Sequence, residues 1–259
     1  MRIGISSLIN GLDSALDICE EYDIIEHIEI GVDNTDDCNA LKGYASRIKS
    51  LGLSIGIHLP LEFNPCEKIE SIRRDWLCFF WSLYDIIEEN FEEVGYYNFH
   101  LGHVMTSRLK CDRDAYLCYI KEFLFNLRAV STVTIENTYS KGGDFSNIGN
   151  LSRDFEYIFR EAHGVKFDNI YFCYDTGHNL IDRGEYLENL KYKIKTVHLS
   201  DNDGVDDLHQ GIGKGKLSTK DIFETLNLDP DFLVLEVKEE DLRESIRKIE
   251  FYQTIRDKI

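Results

Sequence analysis

Six strand-like segments of this sequence end, in succession, on a residue of the kind that binds divalent metals. These residues are His58, His100, Glu136, Asp175, His198 and Glu236. Imidazole and carboxylate ligands without cysteine suit Zn, Mn, Co or Fe(II), and the imidazoles make Mg or Ca alone a poorer match. The pattern predicts a site at which several strands converge on a divalent metal, and Zn or Mn is the ion that we expect there.

Four more candidate ligands lie just beyond these strand ends. His178 belongs to the motif YDTGH, and Asp201, Asp207 and His209 lie in the segment HLSDNDGVDDLHQGIGKG. His178 is available to a second metal or to substrate. Asp207 and His209 can either reach one ion from an irregular loop or fix that loop by hydrogen bonds. A histidine at a strand end can also contact substrate, which applies to His58 and His100. With His178 and with Glu29, near the end of the second predicted strand, they are the predicted substrate contacts.

A regular alternation of strands and helices must position these residues. Apolar runs of four to seven residues alternate with longer segments of helical periodicity, which is typical of parallel βα units. The predicted strands span 2–6, 24–30, 53–58, 95–100, 132–137, 169–175, 195–200 and 232–237. The predicted helices lie near 12–21, 38–50, 67–91, 112–129, 151–163, 184–191, 219–226 and 239–256. Eight such units predict an α/β fold, a single (β/α)8 TIM barrel over residues 1–259, because such barrels have about 250 residues.

The alternation of side chains along each predicted strand indicates which residues point into the barrel. Glu136 shares a face with Thr134, whereas Ile135 lies on the opposite face toward the helices, and His198 lies over Thr196 in the same way. Active sites of such barrels lie at the C-terminal ends of the strands. We therefore expect the candidate ligands to converge at the mouth of the barrel.

The charge of the chain argues against nucleic acid as a partner. The sequence has 47 acidic and 29 basic residues and a formal net charge of −18. A surface this acidic repels phosphate backbones unless basic residues are concentrated in one place. The segment after the second predicted strand, GVDNTDDCNAL, has neither basic nor aromatic residues. We expect a small-molecule substrate and no useful binding of duplex DNA.

Membrane insertion and disulfide bonds are not expected either. The longest uncharged apolar stretches are far shorter than the roughly 18 to 20 residues of a bilayer span. The first residues, MRIGISS, lack the pattern of a signal peptide. The seven cysteines form no CxxC pair, which argues against a disulfide framework and against a structural zinc cluster. We expect a cytoplasmic protein whose cysteines are reduced, and the sequence does not predict an oligomeric state.

Taken together, the motifs resemble the xylose isomerase-like TIM barrel superfamily, which holds sugar isomerases, epimerases and endonuclease IV-type nucleases. The motifs that carry the resemblance are IHLPLEFN, NFHLGH, TIENT, YDTGH, VHLSDN, DLHQGIGKG and LEV. The resemblance to sugar phosphate isomerase and epimerase relatives implies one metal on Glu136, Asp175, His198 and Glu236, with Glu136 and Glu236 moving a proton on and off the carbon next to a carbonyl. We expect a metal-dependent isomerase or epimerase of a small sugar or sugar phosphate.

The resemblance to endonuclease IV implies a different chemistry and up to three ions. The three implied sets are His58, His100 and Glu136; Glu136, Asp175, His198 and Glu236; and His178, Asp207 and His209. Such a cluster activates a hydroxide for phosphodiester hydrolysis, here of abasic DNA. A third alternative is a catalytically silent metal-binding protein of the same fold. We expect one ion held tightly by the four-residue set and weaker occupancy elsewhere.

Overall fold

Eight parallel strands close into a barrel in the computed structural model, which describes residues 1–140, 142–161, 166–256 and 258. The barrel strands are β1 (Arg2–Leu8), β2 (Ile25–Gly31), β3 (Ser54–His58), β4 (Val94–His100), β6 (Val133–Glu136), β8 (Ile170–Asp175), β9 (Ile194–Leu199) and β10 (Phe232–Leu235). Each barrel strand is hydrogen-bonded to the next one along the chain, and β10 closes the ring against β1. The predicted fold class is confirmed, and every predicted strand overlaps an observed one.

Helices connect the strands and cover the outside of the barrel. They are α1 (Leu12–Glu21), α2 (Thr35–Leu41), α3 (Ala45–Ser50), α4 (Glu70–Asn90), α5 (Thr106–Cys111), α6 (Arg113–Phe125), α7 (Ser152–Phe159), α8 (Thr176–Ile181), α9 (Tyr186–Leu190), α10 (Thr219–Leu226) and α11 (Glu239–Arg256). The predictions for α1, α10 and α11 have the observed ends. In the part of the chain that the structure describes, no helix is long and apolar enough to span a bilayer.

Some predicted helices differ from the observed ones. The helix predicted over 112–129 is observed as α6, which begins at Arg113 and ends at Phe125. It begins there because the Asp112 carboxylate accepts a hydrogen bond from the backbone N–H of Ala115 and caps the helix. The predicted helix 38–50 is divided between α2 and α3 by a 3-10 turn at Lys42–Tyr44. The predicted helix 151–163 is represented by α7, and its last two residues lie outside the described part of the chain.

The two faces of the barrel strands differ as their sequence alternation predicts. Ile135 is fully buried in the apolar layer between strands and helices. Thr134, next to it, points into the barrel, where its hydroxyl donates a hydrogen bond to Asn98 Oδ1 at 2.8 Å. The ladders place His100 beside Glu136 and Asp175 beside His198. The strand ends therefore bring polar side chains to one level at the mouth of the barrel.

A short antiparallel two-stranded sheet, formed by β5 (His103–Met105) after β4 and β7 (Phe145–Asn147) after β6, was not predicted. Strands of three residues are too short to show a period-2 pattern in the sequence. The pairing continues beyond these strands, because the backbone N–H of Ile148 donates to Gly102 O at 2.9 Å. The two-stranded sheet places Asn147 on the wall of the cavity at the mouth.

The loop after β9 is organised by the buried carboxylate of Asp201. This carboxylate accepts hydrogen bonds from the backbone N–H groups of Gly213, Gly215 and Leu217 at 3.0, 2.9 and 2.8 Å. A Cβ atom on Gly215 would lie 2.2 Å from the carbonyl oxygen of Asn202, so only glycine fits there. Asp201 is thus a structural residue, and the glycine-rich segment is a turn that it holds in place.

Candidate metal centre

Three carboxylates and one imidazole converge at the C-terminal end of the barrel. Glu136 ends β6, Asp175 ends β8, His198 lies on β9 and Glu236 directly follows β10. One ligand atom of each residue lies within 4.8 Å of the ligand atoms of the other three. These are the four residues that the sequence predicts for the tightly held ion, and the structure brings them together.

His198 provides the shared neighbour of the three carboxylates. Its Nδ1 atom lies 3.0 Å from Glu236 Oε2, 3.3 Å from Glu136 Oε2 and 3.9 Å from Asp175 Oδ2. The other ring nitrogen, Nε2, lies 2.9 Å from Glu29 Oε2. The imidazole therefore presents one nitrogen to the centre and the other to a carboxylate deeper in the barrel.

The hydrogen-bonding state of these atoms fits a cation. Among the described residues, Asp175 Oδ2, His198 Nδ1, Glu236 Oε2 and His100 Nε2 are buried and have no hydrogen-bond partner. An unsatisfied buried polar atom costs about 1–3 kcal/mol, and more when it is charged. Three of these atoms belong to the four-residue set. With oxygen and nitrogen donors only, they match a site for a divalent ion of the Zn, Mn, Co or Fe(II) type.

The electrostatics of the centre differ between its carboxylates. Burial opposes ionisation of Glu136, but the imidazoles of His198 and His100 outweigh it and hold its pKa well below the ordinary value. Burial likewise opposes ionisation of Glu236, yet His198 lowers its pKa to about 2. For Asp175, burial and the neighbouring carboxylates raise the pKa to about 7 despite His178. Asp175 is thus the carboxyl group of the centre that protonates most readily.

A second group of ligand atoms adjoins the first and shares Glu136. His58 Nε2 lies 3.3 Å from Glu136 Oε2, and His100 Nε2 lies 3.4 Å from Glu136 Oε1. The three ligand atoms of this group also lie within 4.8 Å of one another. Burial opposes protonation of His58, but Glu136 and Glu29 raise its pKa to about 9. This group has the composition of a second metal position, as the sequence predicts for His58 and His100.

The third predicted group is arranged differently. Asp207 Oδ2 lies between two imidazoles, 3.1 Å from His178 Nε2 and 3.4 Å from His209 Nε2. His178 Nδ1 is 2.8 Å from the carbonyl oxygen of Asn137. In the described part of the chain, these three residues do not form a set whose ligand atoms all lie within 4.8 Å. The structure shows a hydrogen-bonded cluster, and metal binding by His178, Asp207 and His209 stays a prediction.

Two neighbours of the centre were not foreseen from the sequence. Asn98 Nδ2 donates to Glu136 Oε2 at 2.5 Å, and Asn137 Oδ1 accepts from the backbone N–H of Asp175 at 2.7 Å. Asn98 lies two residues before His100 on β4, so strand alternation alone assigns it to the same face. Cys173 also lies beside Glu136 and His198, but burial raises the pKa of its thiol well above the ordinary value, which makes it a poor ligand.

Glu136 and Glu236 of the centre line a cavity of about 770 Å³ that opens at the mouth of the barrel. His58, His100, His178 and Glu29, the predicted substrate contacts, all contribute to its wall. Residues that the sequence analysis did not propose also line it, including Leu8, Leu61, Tyr139, Asn147 and Lys238. The volume suits a small molecule, because ligand pockets commonly have about 300–1,000 Å³.

Known proteins share this sequence pattern and this architecture. A family model described as xylose isomerase-like TIM barrel matches residues 22–252. The uncharacterized protein MJ1614 of Methanocaldococcus jannaschii is 24% identical over 230 residues, which cover 84% of each chain.

Solved structures with the same fold cover nearly the whole chain. A D-tagatose 3-epimerase-like protein superposes with a TM-score of 0.82 at 19% identity, covering 100% of this chain and 99% of that one. The TTHB071 protein from Thermus thermophilus, soaked with ZnCl2, has a TM-score of 0.71 at 20% identity, with 97% and 98% covered. The 3-keto-D-glucoside 4-epimerase YcjR from E. coli has a TM-score of 0.72 at 16% identity, with 98% and 99% covered. At these identities the likeness establishes the fold.

Proposed function

We propose that this chain, which belongs to the xylose isomerase-like TIM barrel family, is a divalent-metal-dependent isomerase or epimerase of a small sugar or sugar phosphate. The observation that carries the proposal is the pair Glu136 and Glu236, two carboxylates that share one centre and line the cavity. Glu136 ends β6 and Glu236 follows β10, and these strands are three positions apart around the eight-stranded barrel, so the two carboxylates approach the centre from different sides. Two structures of the same fold carry the names of epimerases or epimerase-like proteins, which supports the proposal.

Such a reaction needs a Lewis acid and a base that removes a proton from carbon. A divalent cation, when bound by Glu136, Asp175, His198 and Glu236, supplies Lewis acidity toward the carbonyl and hydroxyl oxygens of a sugar. Glu236, whose side chain is 23% exposed and whose pKa is about 2, is ionised and accepts the proton of the carbon next to the carbonyl.

The second carboxylate returns a proton. Because Glu136 is ionised at rest, it first takes up a proton from solvent in the cavity, and Glu236 later releases to solvent the proton that it removed. Protonation by Glu136 on the other face of the same carbon gives an epimer, and protonation of the neighbouring carbon gives an isomer. His58 and His100 contact Glu136 and also face the cavity. These contacts support a role for both imidazoles in holding the oxygens of the substrate while the proton moves.

The second group, His58, His100 and Glu136, favours one alternative function. Two ions at neighbouring positions would suit hydrolysis of a phosphodiester, because paired cations stabilise both the attacking and the leaving oxygen. The charge of the mouth opposes a nucleic-acid substrate, since Asp33 and Glu239 line the cavity and the chain carries a net charge of −18. We expect no submicromolar binding of an abasic DNA duplex at about 150 mM salt. Fluorescence anisotropy measures it, and tight binding or cleavage would favour the hydrolase.

Proton exchange with solvent tests the proposed reaction across a whole class of sugars at once. The zinc- or manganese-loaded protein is incubated in D2O with a panel of ketoses, aldoses and their phosphates. Loss of the NMR signal of the hydrogen next to the carbonyl reports turnover. Glu136→Gln and Glu236→Gln are expected to slow this exchange by about 10²–10⁴-fold. Glu26→Gln, which changes an exposed carboxylate on β2, is the matched control and should leave the rate unchanged.

Folding and metal content are measured in parallel, because Glu136 and Glu236 are also proposed ligands. Exchange at the unsubstituted rate in both glutamine variants would remove the proposed mechanism. Absence of exchange for the whole panel, together with hydrolysis of a phosphodiester, would replace the proposed function by the alternative.

A further inference from the structure

A continuous chain of buried polar side chains runs through the interior of the barrel to the metal centre. Ser54 Oγ lies 2.9 Å from His27 Nδ1, and His27 Nε2 lies 3.2 Å from the hydroxyl of Tyr96. The hydroxyl of Tyr96 donates to Glu29 Oε2 at 2.7 Å, and the same oxygen lies 2.9 Å from His198 Nε2. All five residues are buried, with at most 1% of their surface exposed. The chain therefore ends on the one imidazole of the four-residue centre.

The protonation states of Tyr96 and His27 determine which group donates each hydrogen bond in this chain of side chains. Burial raises the pKa of Tyr96 well above its ordinary value, so the phenol keeps its proton and donates it to Glu29. Burial lowers the pKa of His27 to about 3, so this imidazole is neutral and carries one N–H. Its Nε2–H donates to the oxygen of Tyr96, and its Nδ1 accepts from the hydroxyl of Ser54.

The barrel is shaped to admit this chain. A Cβ atom on Gly56 would lie 2.5 Å from Cζ and 2.7 Å from the hydroxyl of Tyr96, so glycine at this point of β3 leaves the space that the phenol occupies. The ring of Tyr96 also packs edge-on against Phe232, with 5.1 Å between ring centroids. The phenol is therefore fixed in position, and its hydroxyl is held against Glu29.

We propose that Glu29 is a positioning residue that accepts a hydrogen bond from Nε2–H of His198 and so keeps Nδ1 free of a proton and directed at the ion. A neutral imidazole has one N–H, and the partner of that N–H decides which nitrogen is left to bind metal. Nδ1 is the nitrogen that faces Glu136, Asp175 and Glu236. Tyr96, supported by His27 and Ser54, holds the Glu29 carboxylate in place. This inference rests on the metal centre of the proposed function and gives Glu29 a role other than substrate contact.

Zinc affinity of the purified full chain, measured by competition with a chromophoric chelator, tests the inference. Glu29→Gln is expected to weaken zinc binding by about 10–100-fold, the range typical for partners that orient a metal ligand. Tyr96→Phe, which removes only the hydroxyl, is expected to weaken it by a smaller factor. Thr196→Val is the matched control, because Thr196 lies on β9 in the same interior and its buried hydroxyl has no partner among the described residues. This control should bind zinc like the unsubstituted protein.

A spectroscopic readout separates positioning from a general loss of structure. In the zinc-loaded protein, the Nε2–H proton of His198 is expected to give a strongly deshielded NMR resonance, since it is hydrogen-bonded to a carboxylate. The resonance should move upfield in Glu29→Gln and persist in Thr196→Val. Zinc affinity of Glu29→Gln within twofold of the unsubstituted protein would overturn the inference. If Glu29→Gln does not fold by circular dichroism, an unchanged affinity and resonance in Tyr96→Phe would overturn it instead. Failure of the unsubstituted protein to bind zinc, manganese or cobalt would overturn the proposed function and this inference together.

Discussion

The candidate ligands at the strand ends and those on the loop after β9 are held in different ways. Side chains of Glu136, Asp175 and His198 are at most 1% exposed and are fixed by the hydrogen-bonded ladder of the barrel. His209 is 36% exposed, and its backbone has a φ of 46°, a left-handed conformation that costs energy in residues other than glycine. The comparison indicates that the barrel preorganises one site, whereas the loop offers an adjustable contact.

Removal of a strand-end ligand should have the largest effect. Asp175→Asn keeps the size of the side chain and its ability to accept the backbone N–H of His178, but it removes a charge from the centre. We expect zinc affinity to fall by more than about a hundredfold, beyond the range for residues that only orient ligands. Chelator competition measures the affinity. A loss of less than tenfold would show that the four-residue set is not the principal site.

A loop variant should have a much smaller effect on the same ion. His209→Ala removes an imidazole whose Nδ1 is 4.0 Å from Glu236 Oε1 and which does not belong to the four-residue set. We expect the tight zinc affinity to change by less than about tenfold, within or below the effect of a residue that orients a ligand. A loss as large as that of Asp175→Asn would mean that the loop contributes a ligand to the principal site.

Protons should compete with the metal ion for the residues at the strand ends. The pKa of His58 is about 9 and that of Asp175 about 7, so near neutral pH without a bound ion the imidazole is protonated and the carboxyl group is partly protonated. Because metal ligands must be deprotonated, the affinity for zinc should rise with pH from 6 to 9. Titration calorimetry in buffers of different ionisation enthalpy should detect proton release on binding. An affinity that is constant over this range would contradict these protonation states.

The smallest expected effect is on the stability of the metal-free protein. Burial disfavours protonation of His209, but Asp207 raises its pKa from 6.5 to about 10. A histidine whose pKa is raised by folding stabilises the protein fully below its unfolded pKa, and this contribution is lost as the pH rises through the folded pKa. The pair is partly exposed, so its contribution should stay below about 1 kcal/mol.

His209→Asn tests this contribution. We expect the variant to melt at most about 2–4 °C below the unsubstituted protein at pH 6.5 and to show no difference near pH 10, with both proteins kept in chelator. Differential scanning calorimetry gives the melting temperatures. A difference that grows with pH would have the wrong sign for a raised histidine pKa.

Much of the fold could be predicted because buried parallel strands are short apolar runs between amphipathic helices. The predicted α11, for example, has the observed ends at Glu239 and Arg256. The helix α8 was missed, since six residues are too few to show helical periodicity. Its beginning is set instead by the Asp175 carboxylate, which accepts from the backbone N–H of His178. The motif YDTGH was interpreted as the end of a strand, but Asp175 also caps a helix that begins at the next residue.

Strand alternation predicted which residues of the site point into the barrel, but not the contacts between them. Strand ends and their inward face identify Glu136, Asp175 and His198 one strand at a time. The contacts between strands depend on register and on distances of a few tenths of an ångström, which no periodicity encodes. The hydrogen bond between Glu29 and His198 joins residues 169 positions apart. For the same reason the number of ions stays a prediction, because it depends on how closely His178, Asp207 and His209 approach.

The central claim is that one ion is held tightly by Glu136, Asp175, His198 and Glu236. Anomalous scattering at the metal edge, from crystals of protein purified without chelator, locates each ion and measures its occupancy. We predict one fully occupied position among the three carboxylates and Nδ1 of His198, with weak or partial density beside His58 and His100 and beside Asp207. An empty four-residue set, or three fully occupied ions, would contradict this claim.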